Sequence, residues 1–305
     1  MVQVTEGTFQ IDGASLFTKT WQPDGAPKAK MIMFHGFSDH VDRYYGFFPY
    51  LAGRGIAVYA LDQRGWGKSA PKHSDKGKSG PTTRVLADMA AFIRAQLPSA
   101  DAPVFVLGHS MGGGQVLALA STPQYDEVIA QVRGWVLESP FLGFAPELQP
   151  GWLTIASGRL ASHVLPGFKL HRPIPPEDVT RDAEVARSLG ADALCHNYGT
   201  LEGLAGMLDR TEALSRGKLR LRPAVRSLFL AHGTADKATS FDRSKGWYDK
   251  QQLEDGKFKP YEGFYHQLHA DPGKEEFYED VADFILQRSG GGDGEGAAAA
   301  PGAKL

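Results

Sequence analysis

Residues 104–114, Val-Phe-Val-Leu-Gly-His-Ser-Met-Gly-Gly-Gly, constrain this chain more than any other stretch. Four apolar residues lead into Gly108-His109-Ser110-Met111-Gly112, and a helix-forming segment, 115–121, follows. The order is strand, sharp turn, helix, with a serine at the apex. A G-x-S-x-G pentapeptide in that setting is a nucleophile elbow. Its glycines have a mechanical purpose, because the serine backbone is strained and side chains on either flank would collide across the turn. The competing reading is a glycine-rich loop with an incidental serine. What separates the two is whether the rest of the chain supplies a base, an acid and an oxyanion site in the right order.

The flanking sequence reads as an α/β protein. Residues 2–11 and 15–21 alternate and turn at Asp12-Gly13, a strong hairpin signal. Residues 31–34, 56–61, 104–107, 134–139, 227–231 and 258–263 are short strands, several of them continuous apolar runs of the kind buried on both faces. Helical segments at 44–54, 82–97 and 275–288 lie between or after them. Strands alternating with helices predict a mostly parallel central sheet flanked by helices. Gly67-Lys68-Ser69 invites a phosphate-loop reading, but that pattern needs glycine at position 62, which is aspartate. Residues 140–223 break the rhythm with prolines and helical patches and no short buried strand, so they read as a helical insertion. The expected divisions are a core over 1–139 and 224–289, the insertion over 140–223, and a tail over 290–305 too poor in apolar residues to stay ordered.

Composition narrows the partners. A net charge of -2 argues against a nucleic-acid binder. No apolar run reaches the roughly 18 residues of a membrane span. The first residues lack the basic and apolar regions of a signal peptide, and the single cysteine, Cys195, permits no internal disulfide. An intracellular, cytoplasmic protein is expected. The ten histidines show no metal-ligand spacing, and no cofactor is called for.

A serine hydroxyl needs a base within reach, and an imidazole oriented by a carboxylate suits it. The chain offers Ser110, then Asp236, then His266, each just after a predicted strand. Glu138 competes with Asp236 as the acid, and His269 with His266 as the base. The oxyanion donors expected are the backbone N–H groups of Met111 and of Phe37, in the loop after strand 31–34. His35 beside it reads as structural.

Taken together, His35-Gly-Phe-Ser-Asp-His-Val-Asp-Arg-Tyr44, residues 62–69, Gly108-His-Ser-Met-Gly-Gly113, His232-Gly-Thr-Ala-Asp236 and Tyr265-His-Gln-Leu-His269 resemble the monoacylglycerol lipase family up to about Arg288. The resemblance implies an α/β-hydrolase fold with a helical cap, and a serine hydrolase cleaving monoacylglycerols to fatty acid and glycerol. It implies the same triad, Ser110, Asp236 and His266, and the same oxyanion pair, Phe37 and Met111. It places Asp39, Arg43 and His269 near the glycerol head group. The chain departs in its bulky Phe37, where mammalian members have a small residue. A broader carboxylesterase, lysophospholipase or thioesterase would use the same triad, and a non-catalytic acyl-binding protein is the alternative from another class. Cys195 reads as buried and inert.

The insertion carries Trp152, Leu153, Ile155, Leu160, Val164, Leu165 and Phe168 among Arg159, His163 and Lys169. That pattern predicts either a lid that dips into a membrane or lipid-droplet surface, or a helix packed on the core like any other. Ala303-Lys304-Leu305 resembles a C-terminal tripeptide read by a peroxisomal import receptor.

Overall fold

The structure is a computed structural model that describes residues 1–97 and 102–290. The expected tail and its tripeptide therefore lie outside the described residues, apart from Gly290. Ten strands follow in chain order: β1 Gln3–Ile11, β2 Ala14–Gln22, β3 Ala29–Phe34, β4 Ile56–Leu61, β5 Val104–His109, β6 Val132–Glu138, β7 Lys169–His171, β8 Tyr198–Thr200, β9 Ser227–Gly233 and β10 Asp255–Tyr261. The α-helices are α1 Phe47–Gly53, α2 Thr82–Ala95, α3 Met111–Leu119, α4 Asp126–Gln131, α5 Trp152–Val164, α6 Pro176–Val179, α7 Ala183–Ala191, α8 Leu201–Ser215, α9 Phe241–Tyr248 and α10 Glu275–Gln287.

Eight strands form one sheet in the order β1-β2-β4-β3-β5-β6-β9-β10. The β1–β2 hairpin turns where the sequence places it, with Ile11 opposite Ala14 and Asp12 and Gly13 both at positive φ. From β4 to β10 every pairing is parallel. The apolar strands are continuous because both faces are covered. On β3, Ile32 and Phe34 join one core with α2 and α3, whereas Met31 and Met33 join another with α1 and α10.

The chain runs outward from β3 to β4, then returns to β5 on the other side of β3. That reversal opens a crevice at the carboxyl ends of β3 and β5, where open α/β sheets hold ligands. The loop 35–37 and Ser110 leave the sheet there.

Two expectations need correction. The helix expected over 44–54 is a 3-10 turn, Val41–Tyr44, followed by α1. Tyr45 at φ 43° interrupts it, and Pro49, which cannot donate an amide hydrogen bond, fits only near the start of a helix. The insertion also contains strands, since β7 and β8 pair antiparallel. Each is three residues long, too short for an alternating pattern to register. The phosphate-loop candidate is a 3-10 turn whose Lys68 N–H donates to the Asp62 carboxylate, so a side chain fills the place a phosphate would need.

Candidate active site

Ser110 sits between β5 and α3 at φ 54°, ψ -118°, a conformation that strains a residue with a Cβ. Three backbone bonds hold it: its N–H donates to Glu138 O (2.9 Å), and its carbonyl accepts from Phe141 N (2.8 Å) and Gly114 N (3.1 Å). The elbow glycines are sterically required. A Cβ at Gly108 would lie 2.6 Å from Gly112 O, and one at Gly112 would lie 2.2 Å from Phe34 O. The loop after β3 presses directly on the serine, because a Cβ at Gly36 would stand 3.2 Å from Ser110 Cβ.

That loop is braced by His35. Its Nδ1–H donates to Gly36 O (2.8 Å) and its Nε2 accepts from Gln63 N (2.9 Å), with Gln63 Nε2 bonding back to His35 O. The ring is buried and its pKa is lowered, chiefly by burial, so it stays neutral and structural. The Phe37 ring packs edge-on against Trp66 at 4.9 Å, and Gly199 on β8 leaves it room.

The expected acid and base, Asp236 and His266, follow the ends of β9 and β10 and pair with each other. Asp236 Oδ1 accepts from the N–H groups of Ala238 (2.8 Å) and Thr239 (2.9 Å). Its Oδ2 accepts from His266 Nδ1 (2.8 Å) and Thr239 Oγ1 (2.8 Å), with His232 Nε2 at 3.0 Å. Burial opposes the charge on Asp236, but His266 and His232 outweigh it and hold the carboxyl well below its ordinary range. His266 moves the other way. Burial would lower its pKa, yet the charge and hydrogen bond of Asp236, with Glu138 and Asp39 farther off, raise it above 6.5. The His266 ring lies 4.8 Å from that of His109, the residue before Ser110.

A cavity of about 350 Å³ opens onto Ser110. Phe37 and Met111 flank the serine in its wall, Ala238 and Thr239 connect it to Asp236, and Leu201, Leu204, Ala205, Met207 and Leu208 of α8 make its far side. Thr154, Ile155, Gly158 and Arg159 of α5 close it from above. Ser110 on the wall of an apolar cavity, next in the chain to the His109 ring that packs on an imidazole held by a buried carboxylate, is equipped for acyl transfer on a greasy ester.

The family described as serine aminopeptidase, S33, a Hydrolase_4 family, matches residues 25–273. The monoglyceride lipase of Homo sapiens is 31% identical over 272 residues, covering 85% of this chain and 82% of its own length. The monoacylglycerol lipase of Mycolicibacterium smegmatis is 27% identical over 280 residues, 90% of this chain and 94% of that one. The chain belongs to the monoacylglycerol lipase family. Its fold agrees: a soluble variant of monoglyceride lipase from Saccharomyces cerevisiae, in complex with a substrate analog, has a TM-score of 0.84 at 19% identity and covers 92% of this chain.

In this family member the head-group residues implied by the resemblance do not line the cavity. Asp39, Arg43 and His269 are 5%, 4% and 0% exposed, and each is bonded to protein. Asp39 accepts from Tyr44 Oη (2.8 Å) and His40 N (2.8 Å). Arg43 donates to Ser188 Oγ (3.0 Å) beside Asp192, tying the Val41–Tyr44 turn to α7. His269 donates to Glu138 (2.7 Å). Both rival acids and both rival bases are thus used, as two separate pairs. The carboxylate of the Asp236 pair bonds directly to Ala238 and Thr239 of the cavity wall. Cys195 is buried and its thiol is pushed up, mainly by burial, away from reactivity.

Sequence reading missed His232 and Thr239. The signal for Thr239 was present, since an Asp followed three residues later by Thr is a turn in which the carboxylate caps the next two amides. His232 ends a strand next to Asp236 only after the chain has folded back.

Proposed function

We propose that this chain hydrolyses monoacylglycerols to fatty acid and glycerol through an acyl-enzyme on Ser110. The observation that carries the reading is the apolar cavity that opens onto Ser110 beneath α5. Ser110 Oγ attacks the ester carbonyl, and His266 takes its proton and returns it to the departing glycerol oxygen. Asp236 fixes the imidazole with Nδ1 protonated, leaving Nε2 free to act as base. The backbone N–H groups of Phe37 and Met111 receive the oxyanion. Water then repeats the cycle on the acyl-enzyme. Asp39, Arg43 and His269 act by bracing the walls rather than by touching glycerol.

Burying each acyl methylene is worth roughly 0.8 kcal/mol, so a longer acyl chain gains affinity until the cavity is full. Residues 140–223 act as a cap over this cavity. α5 supplies cavity wall on one face while Trp152, Leu160 and Val164 are 75%, 70% and 73% exposed on another. A helix that greases both faces suits a lid resting on a lipid surface, where substrate passes from the lipid into the cavity. No helix among the described residues is long and apolar enough to cross a membrane.

The test is a hydrolysis profile over monoacylglycerols of increasing acyl length, diacylglycerols, lysophosphatidylcholine and short p-nitrophenyl esters. Monoacylglycerols should give the highest kcat/KM. A preference for short p-nitrophenyl esters, with monoacylglycerols turned over poorly, would show a general esterase instead.

A further inference from the structure

Behind the His266–Asp236 pair lies a second carboxylate–imidazole pair that the proposed reaction does not use. Glu138 ends β6 with its side chain fully buried. Its Oε1 accepts from His269 N (3.0 Å) and His269 Nδ1 (2.7 Å). Its Oε2 has no donor and lies 3.6 Å from His109 Nδ1, which is also unpartnered. Sheet register creates this approach, since His109 and Glu138 are direct neighbours on β5 and β6. The same His109 ring lies 4.8 Å from the His266 ring.

A buried carboxylate oxygen without a donor is costly, so its charge needs a compensating cation nearby. Burial would push the Glu138 carboxyl up, but His269, which donates to it from both Nδ1 and the backbone N–H, does most to hold it below its ordinary value. Burial pushes His109 down to about 4, so its ring is neutral. Beyond the His109 ring the next imidazole is His266, which becomes cationic during the proposed reaction.

We infer that Glu138, held in place by His269, is a positioning residue for His266: its charge acts past the neutral His109 ring and favours the imidazolium formed when His266 takes the Ser110 proton. The inference rests on the reading of Ser110, His266 and Asp236 as nucleophile, base and acid. Other charged and titratable groups face the same place. Asp236, with His232 and Thr239 around it, meets His266 from the end of β9. Asp39 and Tyr44 approach from the segment after β3, with Tyr44 stacked on His269 at 4.3 Å. Tyr261 on β10 and Tyr278 on α10 lie beyond, both with pKa raised chiefly by burial and therefore neutral. Glu138 is one of three carboxylates, with Asp236 and Asp39, that favour the imidazolium.

Removing that charge lowers the His266 pKa, so the neutral base survives to lower pH and becomes a weaker base. A unit charge about two ring widths away in a buried site is worth about one pH unit. The experiment is the rate of fluorophosphonate labelling against pH for the full chain, wild type against Glu138→Gln, whose amide oxygen can still accept from His269 N. The acid limb should move about one unit to lower pH and the plateau rate should fall roughly tenfold. A limb and plateau that superimpose on wild type overturn the inference. If Glu138→Gln fails to fold, His269→Ala serves. It leaves Glu138 one backbone donor, which lets burial raise the carboxyl and weaken its charge, so the limb should move the same way; an unmoved limb overturns the inference equally. Labelling that persists in Ser110→Ala would instead refute the underlying triad and the inference with it.

Discussion

Gly36→Ala should separate catalysis from stability at this site. Gly36 is not at positive φ, so alanine suits its backbone. Its new Cβ would lie 3.2 Å from Ser110 Cβ and 3.3 Å from His109 Cδ2, so the neighbours must give by a few tenths of an ångström. Such crowding costs about 1–3 kcal/mol, and the smaller unfolded-state entropy of alanine offsets about 0.4–1 kcal/mol of it. The melting temperature should therefore fall by only a few degrees. The displacement falls against the Ser110 Cβ, in the loop that carries the proposed oxyanion donor Phe37. Misplacement by about 1 Å costs on the order of 10²-fold in rate, and loss of an oxyanion donor about 10²–10³-fold. A shift of a few tenths of an ångström is roughly a third of that, about 1 kcal/mol, and should therefore lower kcat roughly fivefold with little change in KM. Gly112→Ala is the contrast, because its Cβ would meet backbone oxygens of Phe34 and His35 at 2.2 and 2.6 Å and should destabilise the fold outright. The assay is steady-state hydrolysis of one monoacylglycerol alongside thermal melting. A Gly36→Ala enzyme with kcat within twofold of wild type would refute the placement of the oxyanion site in loop 35–37.

Asp236→Asn should fold yet lose roughly 10⁴-fold in kcat, because an amide no longer enforces the tautomer that leaves His266 Nε2 free; a loss under tenfold would point to Glu138 as the working acid. Activity should rise with pH through a His266 value above 6.5, measured as kcat/KM against pH, and an acid limb well below 6.5 would contradict the Asp236–His266 pairing. The same pair sets a stability window. The Asp236 pKa is depressed, so its contribution is complete above 3.8 and lost as pH falls through the folded value. The His266 pKa is raised, so its contribution is complete below 6.5 and lost as pH rises through the folded value. The difference in melting temperature between wild type and Asp236→Asn should then be largest between 3.8 and 6.5. Leu160→Asp with Leu165→Asp should reduce partition onto phospholipid vesicles at least about tenfold, since each leucine contributes about 1.5–3 kcal/mol when buried in lipid; unchanged partition would rule out surface docking by α5.

The core was legible because its signals are local. The strands at 31–34, 56–61 and 104–107 announce themselves as apolar runs, and the structure pairs each of them on both edges. The elbow is legible for the same reason, since its strand, glycines and serine are contiguous. The break at Tyr45 was hidden because tertiary contacts impose it, and β7 and β8 because Lys169 and His171 carry no strand pattern. The pairing of Glu138 with His269 spans 131 residues of sequence, so no local signal could assign it. Both residues were noticed as rivals for the triad; their pairing with each other follows from the register of β5 and β6 and the turn after β10.

The most direct measurement is release of fatty acid from a monoacylglycerol by wild type and by Ser110→Ala, with intact-mass detection of the acylated protein. The wild type should release fatty acid and carry a transient acyl adduct on the peptide containing Ser110, and Ser110→Ala should do neither while keeping the wild-type melting temperature. Hydrolysis that survives in a folded Ser110→Ala protein would contradict the account.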